Sequence, residues 1–185
     1  MEAEFLRDAE GHMEKTVEVL REELAKVHTG RANPALLEGV QVDYYGTPTP
    51  LRHLANIVAP DPDLVVVRPF DKSQIGAIER AILAADLGLN PQNDGQIVRV
   101  KVPRLTEERR DELIKLVRRR GEEAKVALRN IRRDAREHLE AEKRDGNIPE
   151  DELFRLRDRL DELTQEYVKR VDELVEKKSG EMRTL

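Results

Sequence analysis

The chain has 185 residues, and its 33 Lys and Arg against 38 Asp and Glu leave a net charge of −5. It contains no cysteine, which excludes disulfides, thiolate metal sites and thiol nucleophiles, and no apolar run approaches membrane-span length. The acidic opening MEAEFLRDAEG does not read as a signal peptide, so the expectation is a cytoplasmic protein of one or two small domains.

In chain order, Leu6, Ala9, Met13, Val17, Leu20, Leu24 and Val27 recur at spacings of three and four. This predicts an amphipathic helix, with Gly30 as its left-handed cap. The composition then changes: eight of the nine prolines fall between Arg31 and Arg104. Asn33-Pro34 predicts a one-turn helix through Leu36 and Leu37. GVQVDYYG alternates as a strand that stops at Gly46, and TPTP after it reads as a turn and edge strand rather than a polyproline ligand. In that strand one of Tyr44 and Tyr45 is expected to face inward and the other outward. LVVVRPF is a second strand. Ser73 to about Leu87 is an amphipathic helix on Ile75, Ile78, Ile82 and Leu83, with Asp71 or Ser73 as its cap. Asn93-Asp94-Gly95 turns into the strand IVRVKV.

Beyond residue 105 the helical period returns. Leu113, Val117, Gly121, Ala124, Leu128, Ile131, Ala135 and Leu139 form a second seam. Thr106 stands as its cap, Glu107 and Glu108 suit its positive end, and Gly146 ends it. Pro149 near a first turn, followed by Glu150, Asp151 and Glu152, opens a third helix. Its seam is Leu153, Leu156, Leu160, Leu163, Tyr167, Val171 and Leu174.

Three seams predict an α+β protein: an elongated three-helix bundle from residues 1–30 and 105–185, with a small β/α/β domain inserted at 31–104. A homodimeric coiled coil is the alternative, and the Gly-Asn-Ile-Pro turn favours the intrachain hairpin. The two crossings, at Thr29, Gly30 and Arg31 and at Pro103, Arg104 and Leu105, make a double linker that reads as a hinge.

No catalytic chemistry is legible. His12, His28, His53 and His138 lack metal-ligand spacing, and phosphate-loop, dinucleotide and zinc-protease motifs are absent. Neither a cofactor nor a metal is expected. With 3% aromatic residues, a base-stacking platform is not expected either.

The basic residues of the second predicted helix are more telling. At about 100° per residue, Arg118, Lys125, Arg129, Arg132 and Arg136 fall within roughly 60° of one another, about 100° around from the apolar seam. Charged helix faces are ordinarily solvated and internally paired. Arg118 and Lys125 have Glu122 within a turn, Arg133 has Glu137, and Arg136 has Glu140. Arg129 and Arg132 have no acid three or four residues away. Each instead meets another arginine at i+4, a contact costing roughly 0.2–0.5 kcal/mol. Either an acid from a neighbouring helix relieves them, or an external polyanion does; the planar guanidinium suits phosphate.

HTGRANPALL, YYGTPTPL, DLGLNPQNDG, LTEERR and ALRNIRRDAR occur here in an order that resembles the ribosome-recycling factors over essentially the full chain. The resemblance implies an L-shaped monomer with the outline of tRNA and a hinge between its domains. It implies binding between the ribosomal subunits on large-subunit rRNA, followed by subunit separation with elongation factor G and the GTP bound to that partner. Arg129, Arg132 and Arg110 match the family's rRNA-contacting arginines, with Arg118, Lys125, Arg133 and Arg136 as weaker candidates. Arg31 matches a hinge position. Where the family often has a second proline before LTEERR, this chain has Arg104, so one φ restraint is missing from the linker. The competing class is a non-enzymatic helical adaptor for a protein partner.

Overall fold

A computed structural model describes residues 2–183. By its contacts the chain divides into two compact units, Met1–His28 with Glu107–Leu185, and Thr29–Thr106.

The first unit is a bundle of α1 (Glu2–Ala25), α3 (Glu107–Arg144) and α4 (Glu150–Arg183), each packed on the other two. Its 38-residue α3 extends about 57 Å at 1.5 Å per residue. The core is the predicted seam. Met13, Val17 and Leu20 of α1 meet Val117 and Leu128 of α3 and Leu160, Tyr167 and Val171 of α4, all buried. The seam also includes Ile114 and Met182, and polar Thr164 is buried with its hydroxyl donating to the Leu160 carbonyl at 2.8 Å. Gly121 is buried against α4: a Cβ there would collide with Val175 Cγ2.

The turn between α3 and α4 closes by hydrogen bonds that satisfy the last α3 carbonyls. Gly146, at φ +75°, donates to the Lys143 carbonyl at 3.0 Å, and Asn147 donates to Glu142 at 2.9 Å. This left-handed C-terminal motif ends the helix at the predicted glycine. Pro149 then offers its carbonyl to the Leu153 N–H, so it caps α4 from outside the first turn. At the other end of the bundle α1 falls short of the expected Gly30 cap. α1 stops at Ala25, and Val27 donates to the Leu24 carbonyl at 3.1 Å, tightening the end into a turn. Gly30 has the expected positive φ, +77°, but lies five residues beyond the last residue of α1.

In the second unit, β1 (Gln41–Tyr44) and β2 (Thr47–Pro50) form a hairpin, and β3 (Ala55–Asp61), β4 (Leu64–Pro69), β5 (Asn90–Asn93) and β6 (Val98–Lys101) form an antiparallel sheet ordered β3-β4-β6-β5. Helix α2 (Ile75–Ala84) sets Ile78 and Ile82 into a core with Val65 and Val67 of β4 and Val98 and Val100 of β6. Leu83, expected on that face, is 54% exposed. The Asn33 side chain accepts from the Ala35 N–H at the start of the predicted one-turn helix, and Asp71 caps a short turn ahead of α2. TPTP is the edge strand β2.

Tyr44 and Tyr45 do not divide between inside and outside; both are exposed. Tyr45 lies in the hairpin turn at φ +50°, followed by Gly46 at +83°. The turn's positive φ values take Tyr45 out of the strand's alternation.

Candidate nucleic-acid interface

The stripe sits on α3 beside α4. Lys125 is largely covered, its side chain 17% exposed, and it binds Asp172 of α4 at 2.5 Å and Glu122 at 3.2 Å. The hydrogen bond to Asp172 above all, and that to Glu122, hold its ammonium above the ordinary lysine range against the effect of burial. Across the same helix pair, Arg157 of α4 reaches Glu140 of α3 at 3.4 Å. These two ion pairs describe one antiparallel register. It sets Arg136 opposite Asp161, Arg132 opposite Gln165 and Arg129 opposite Val168.

That register bears on the two open explanations for Arg129 and Arg132. Neighbouring α4 presents a neutral amide and a valine at those levels, and among the described residues neither arginine forms an ion pair or a hydrogen bond. Arg129 is exposed and Arg132 half-buried at the helix flank. Three of the local pairings expected from sequence do not form. Glu122 is bound by Lys125 rather than Arg118, Glu140 by Arg157 rather than Arg136, and Arg133 reaches its neighbour Asp134 at 3.5 Å rather than Glu137. Only Arg157 comes from another helix; Lys125 and Asp134 lie on α3 itself. As a result Arg118 and Arg136 also have no ion pair among the described residues. Arg136 has a carboxylate opposite, yet one Asp161 oxygen is buried without a hydrogen-bond partner.

Arg110 lies one turn into α3, half-buried, and its Nε is fully enclosed without a hydrogen-bond acceptor. On the helical wheel it falls on the seam side of the stripe, which is why its stem is covered. Arg118, Arg129, Arg132 and Arg136 therefore form a series of guanidinium groups without an ion pair along α3, with Arg110 unpaired on the seam side near its start, while Lys125 and Arg133 have acidic partners. The linker residues Thr29, Gly30, Arg31, Pro103, Arg104 and Leu105 lie outside every helix and strand.

Among the described residues no group of three His, Cys, Asp or Glu is arranged to hold a metal ion, and no helix is long and apolar enough to cross a membrane. Sequence reasoning also missed a polar cluster at the surface of the bundle between α1 and α4. Glu14 of α1 receives Arg170 in a bidentate pair at 2.7 and 2.9 Å and the Tyr167 hydroxyl at 2.8 Å. Residues some 150 positions apart leave no local signal of such a pairing.

The fold and this face define a class: a two-unit α+β protein whose characteristic surface is a line of unpaired arginines on a long helix. The ribosome recycling factor family profile matches residues 20–182. The ribosome-recycling factor of Natranaerobius thermophilus is 52% identical over 178 residues, covering 96% of this chain and 97% of its own. That of Saccharopolyspora erythraea is 50% identical, covering 97% of each. A solution structure of ribosome recycling factor superposes with a TM-score of 0.81 at 39% identity, covering 100% of this chain and 98% of its own. A second structure gives a TM-score of 0.66 at 43% identity over 98% of each chain. It describes the T. thermophilus ribosome recycling factor and E. coli elongation factor G bound to the E. coli post-termination complex. The chain belongs to the ribosome recycling factor family.

Proposed function

We propose that this protein recycles ribosomes after termination by binding between the subunits on large-subunit rRNA, after which elongation factor G with GTP drives the subunits apart. The observation that carries the RNA reading is the pair Arg129 and Arg132. Each meets another arginine at i+4 within α3, and among the described residues neither pairs with an acid of α4. A polyanion relieves that repulsion, and planar guanidinium groups bind phosphate oxygens in pairs. Arg110, Arg118 and Arg136 extend the contact along the helix. Lys125 and Arg133, already neutralised by carboxylates, add less. The post-termination complex of the related T. thermophilus factor supports the site of action and the partner. The GTP belongs to elongation factor G, in keeping with the missing phosphate loop. The protein acts as a cytoplasmic monomer and needs no cofactor of its own.

About five phosphate contacts give a steep salt dependence, log K falling roughly three to five units per decade of salt. Arg132→Ala, and separately Arg129→Ala, each flatten that slope by about one and weaken ribosome binding several-fold, with the melting temperature nearly unchanged. Ribosome pelleting across a salt series measures the slope, circular dichroism the fold, and light scattering with elongation factor G and GTP the splitting. An unchanged slope in both variants overturns the RNA reading and favours a protein-binding adaptor.

A further inference from the structure

On the opposite side of α3 from the arginines, where it meets α1 and the start of α4, the bundle bears a solvent-open cavity of about 570 Å³. Its floor is apolar: Phe5, Ile131, Leu139, Ile148 and Leu156. Its walls carry five carboxylates, Glu4, Asp8, Asp134, Glu142 and Glu152, and among the described lining residues no lysine or arginine. Two matched ladders produce this arrangement. Glu4, Asp8 and His12 stand at i, i+4 and i+8 on α1, and Asp134, His138 and Glu142 do the same on α3. The Phe5 and His138 rings lie stacked across the gap, 6.0 Å between centroids and 14° from parallel.

Among the described residues Glu4, Asp8 and Glu152 have no ion-pair partner, and Glu142 accepts only from the Asn147 amide at 2.8 Å. Asp134 has only its neighbour Arg133, at 3.5 Å. Like charges at i and i+4, as in Glu4 and Asp8, are unfavourable in the free helix. Glu4, Asp8 and Glu152 therefore line the hollow without an ion-pair partner among the described residues. The hollow has the size of a small-molecule site, and its floor would take a hydrocarbon or aryl group.

We propose that this cavity is a binding site for a small organic ammonium ion with an apolar body, the body on the Phe5–Ile131–Leu156 floor and the ammonium among Asp8, Glu142 and Glu152. An anion is repelled by the walls, and a fully hydrophilic cation leaves the floor wet. The surrounding carboxylates select positive charge. The site rests on the bundle alone and is independent of the RNA reading.

The test uses the full-length protein and three probes of one shape: 4-phenylbutylammonium, 4-phenylbutanol and 4-phenylbutyrate. Isothermal titration calorimetry gives affinities, and 15N–1H NMR shifts at Phe5, Ala9, Ala135 and His138 give the location. The ammonium is expected to bind at least about tenfold more tightly than the alcohol, the worth of one partly desolvated charge contact, and the butyrate not at all. Spermidine, charged but without a continuous apolar body, binds more weakly than 4-phenylbutylammonium. The double substitution Asp8→Asn, Glu152→Gln removes charge with little change of shape. It brings the ammonium down to the alcohol's affinity and leaves the alcohol's unchanged. Equal binding of ammonium and alcohol to the unsubstituted protein overturns the proposal, as does binding whose shifts lie elsewhere, or no binding by any probe. The probe comparison on the unsubstituted protein decides the matter even if the double variant unfolds.

Discussion

Glu14 receives two guanidinium N–H groups from Arg170 and the Tyr167 hydroxyl, and the guanidinium carbon also lies 4.8 Å over the Tyr167 ring. The hydrogen bond from Arg170 first, then that from Tyr167, lowers the Glu14 carboxyl from 4.5 to about 2. Burial first, and then Glu14, pushes the Tyr167 phenol up to about 12. A carboxylate whose folded pKa lies below its unfolded value stabilises the fold fully above the unfolded value. That contribution is lost as pH falls from about 4.5 toward about 2. Glu14→Gln should therefore melt earlier at neutral pH and converge with the unsubstituted protein near pH 2. Because the pair is half-exposed and solvent-screened, the neutral-pH loss is about 1 kcal/mol. Thermal melts across the acid range measure it, and parallel curves for the two proteins would show that the cluster contributes no pH dependence.

At the scale of elements, periodicity located the helices well because the bundle buries a single stripe of each. Gly121 is the exception within the α3 stripe: the period demands an apolar residue, and the reason for a glycine appears only when α4 is in place. A methyl there would collide with the stiff, β-branched Val175, whereas at Gly11 of α1 nothing lies within 4 Å. Both changes to alanine gain up to about 1 kcal/mol of helix propensity. Gly121→Ala adds an overpacking cost of about 1–3 kcal/mol. Denaturant unfolding should thus show Gly11→Ala more stable and Gly121→Ala less stable by about 1 kcal/mol. The same sign for both would mean the helices separate freely at this point. Strands were less legible than helices. β3 is an edge strand with a register shift between Val58 and Asp61 and mostly exposed side chains, so no alternation marks it. The β5 sequence, NPQN, contains no strong strand former, and it joins the sheet through its pairing with β6. The arginine stripe was legible as a set of helical angles. Which arginines stay unpaired was legible only for Arg129 and Arg132, since Glu140 and Lys125 find partners on another helix.

For the molecule as a whole, the proposed recycling step requires displacement of one unit to be felt by the other through the two crossings at residues 29–31 and 103–105. Within the second unit both crossings are tied to one turn. Ala32 donates to the Pro62 carbonyl at 2.7 Å and Val102 to the Asp63 carbonyl at 2.8 Å, so the chain enters and leaves beside consecutive residues of the β3–β4 connection. Pushing that turn loads both linkers together. Gly-Ser insertions between Gly30 and Arg31 and between Arg104 and Leu105 lie outside these bonds and leave each unit's core intact. Chain entropy is a minor penalty, about 0.6 kcal/mol for each doubling of a loop. The expected outcome is ribosome binding within a few-fold of the original, because the arginines on α3 are untouched, with subunit splitting slowed about tenfold or more. Pelleting and light scattering with elongation factor G and GTP separate the two quantities. Splitting at the original rate with both linkers lengthened would rule out transmission through the crossings. The displacement would then have to reach the ribosome through the second unit directly.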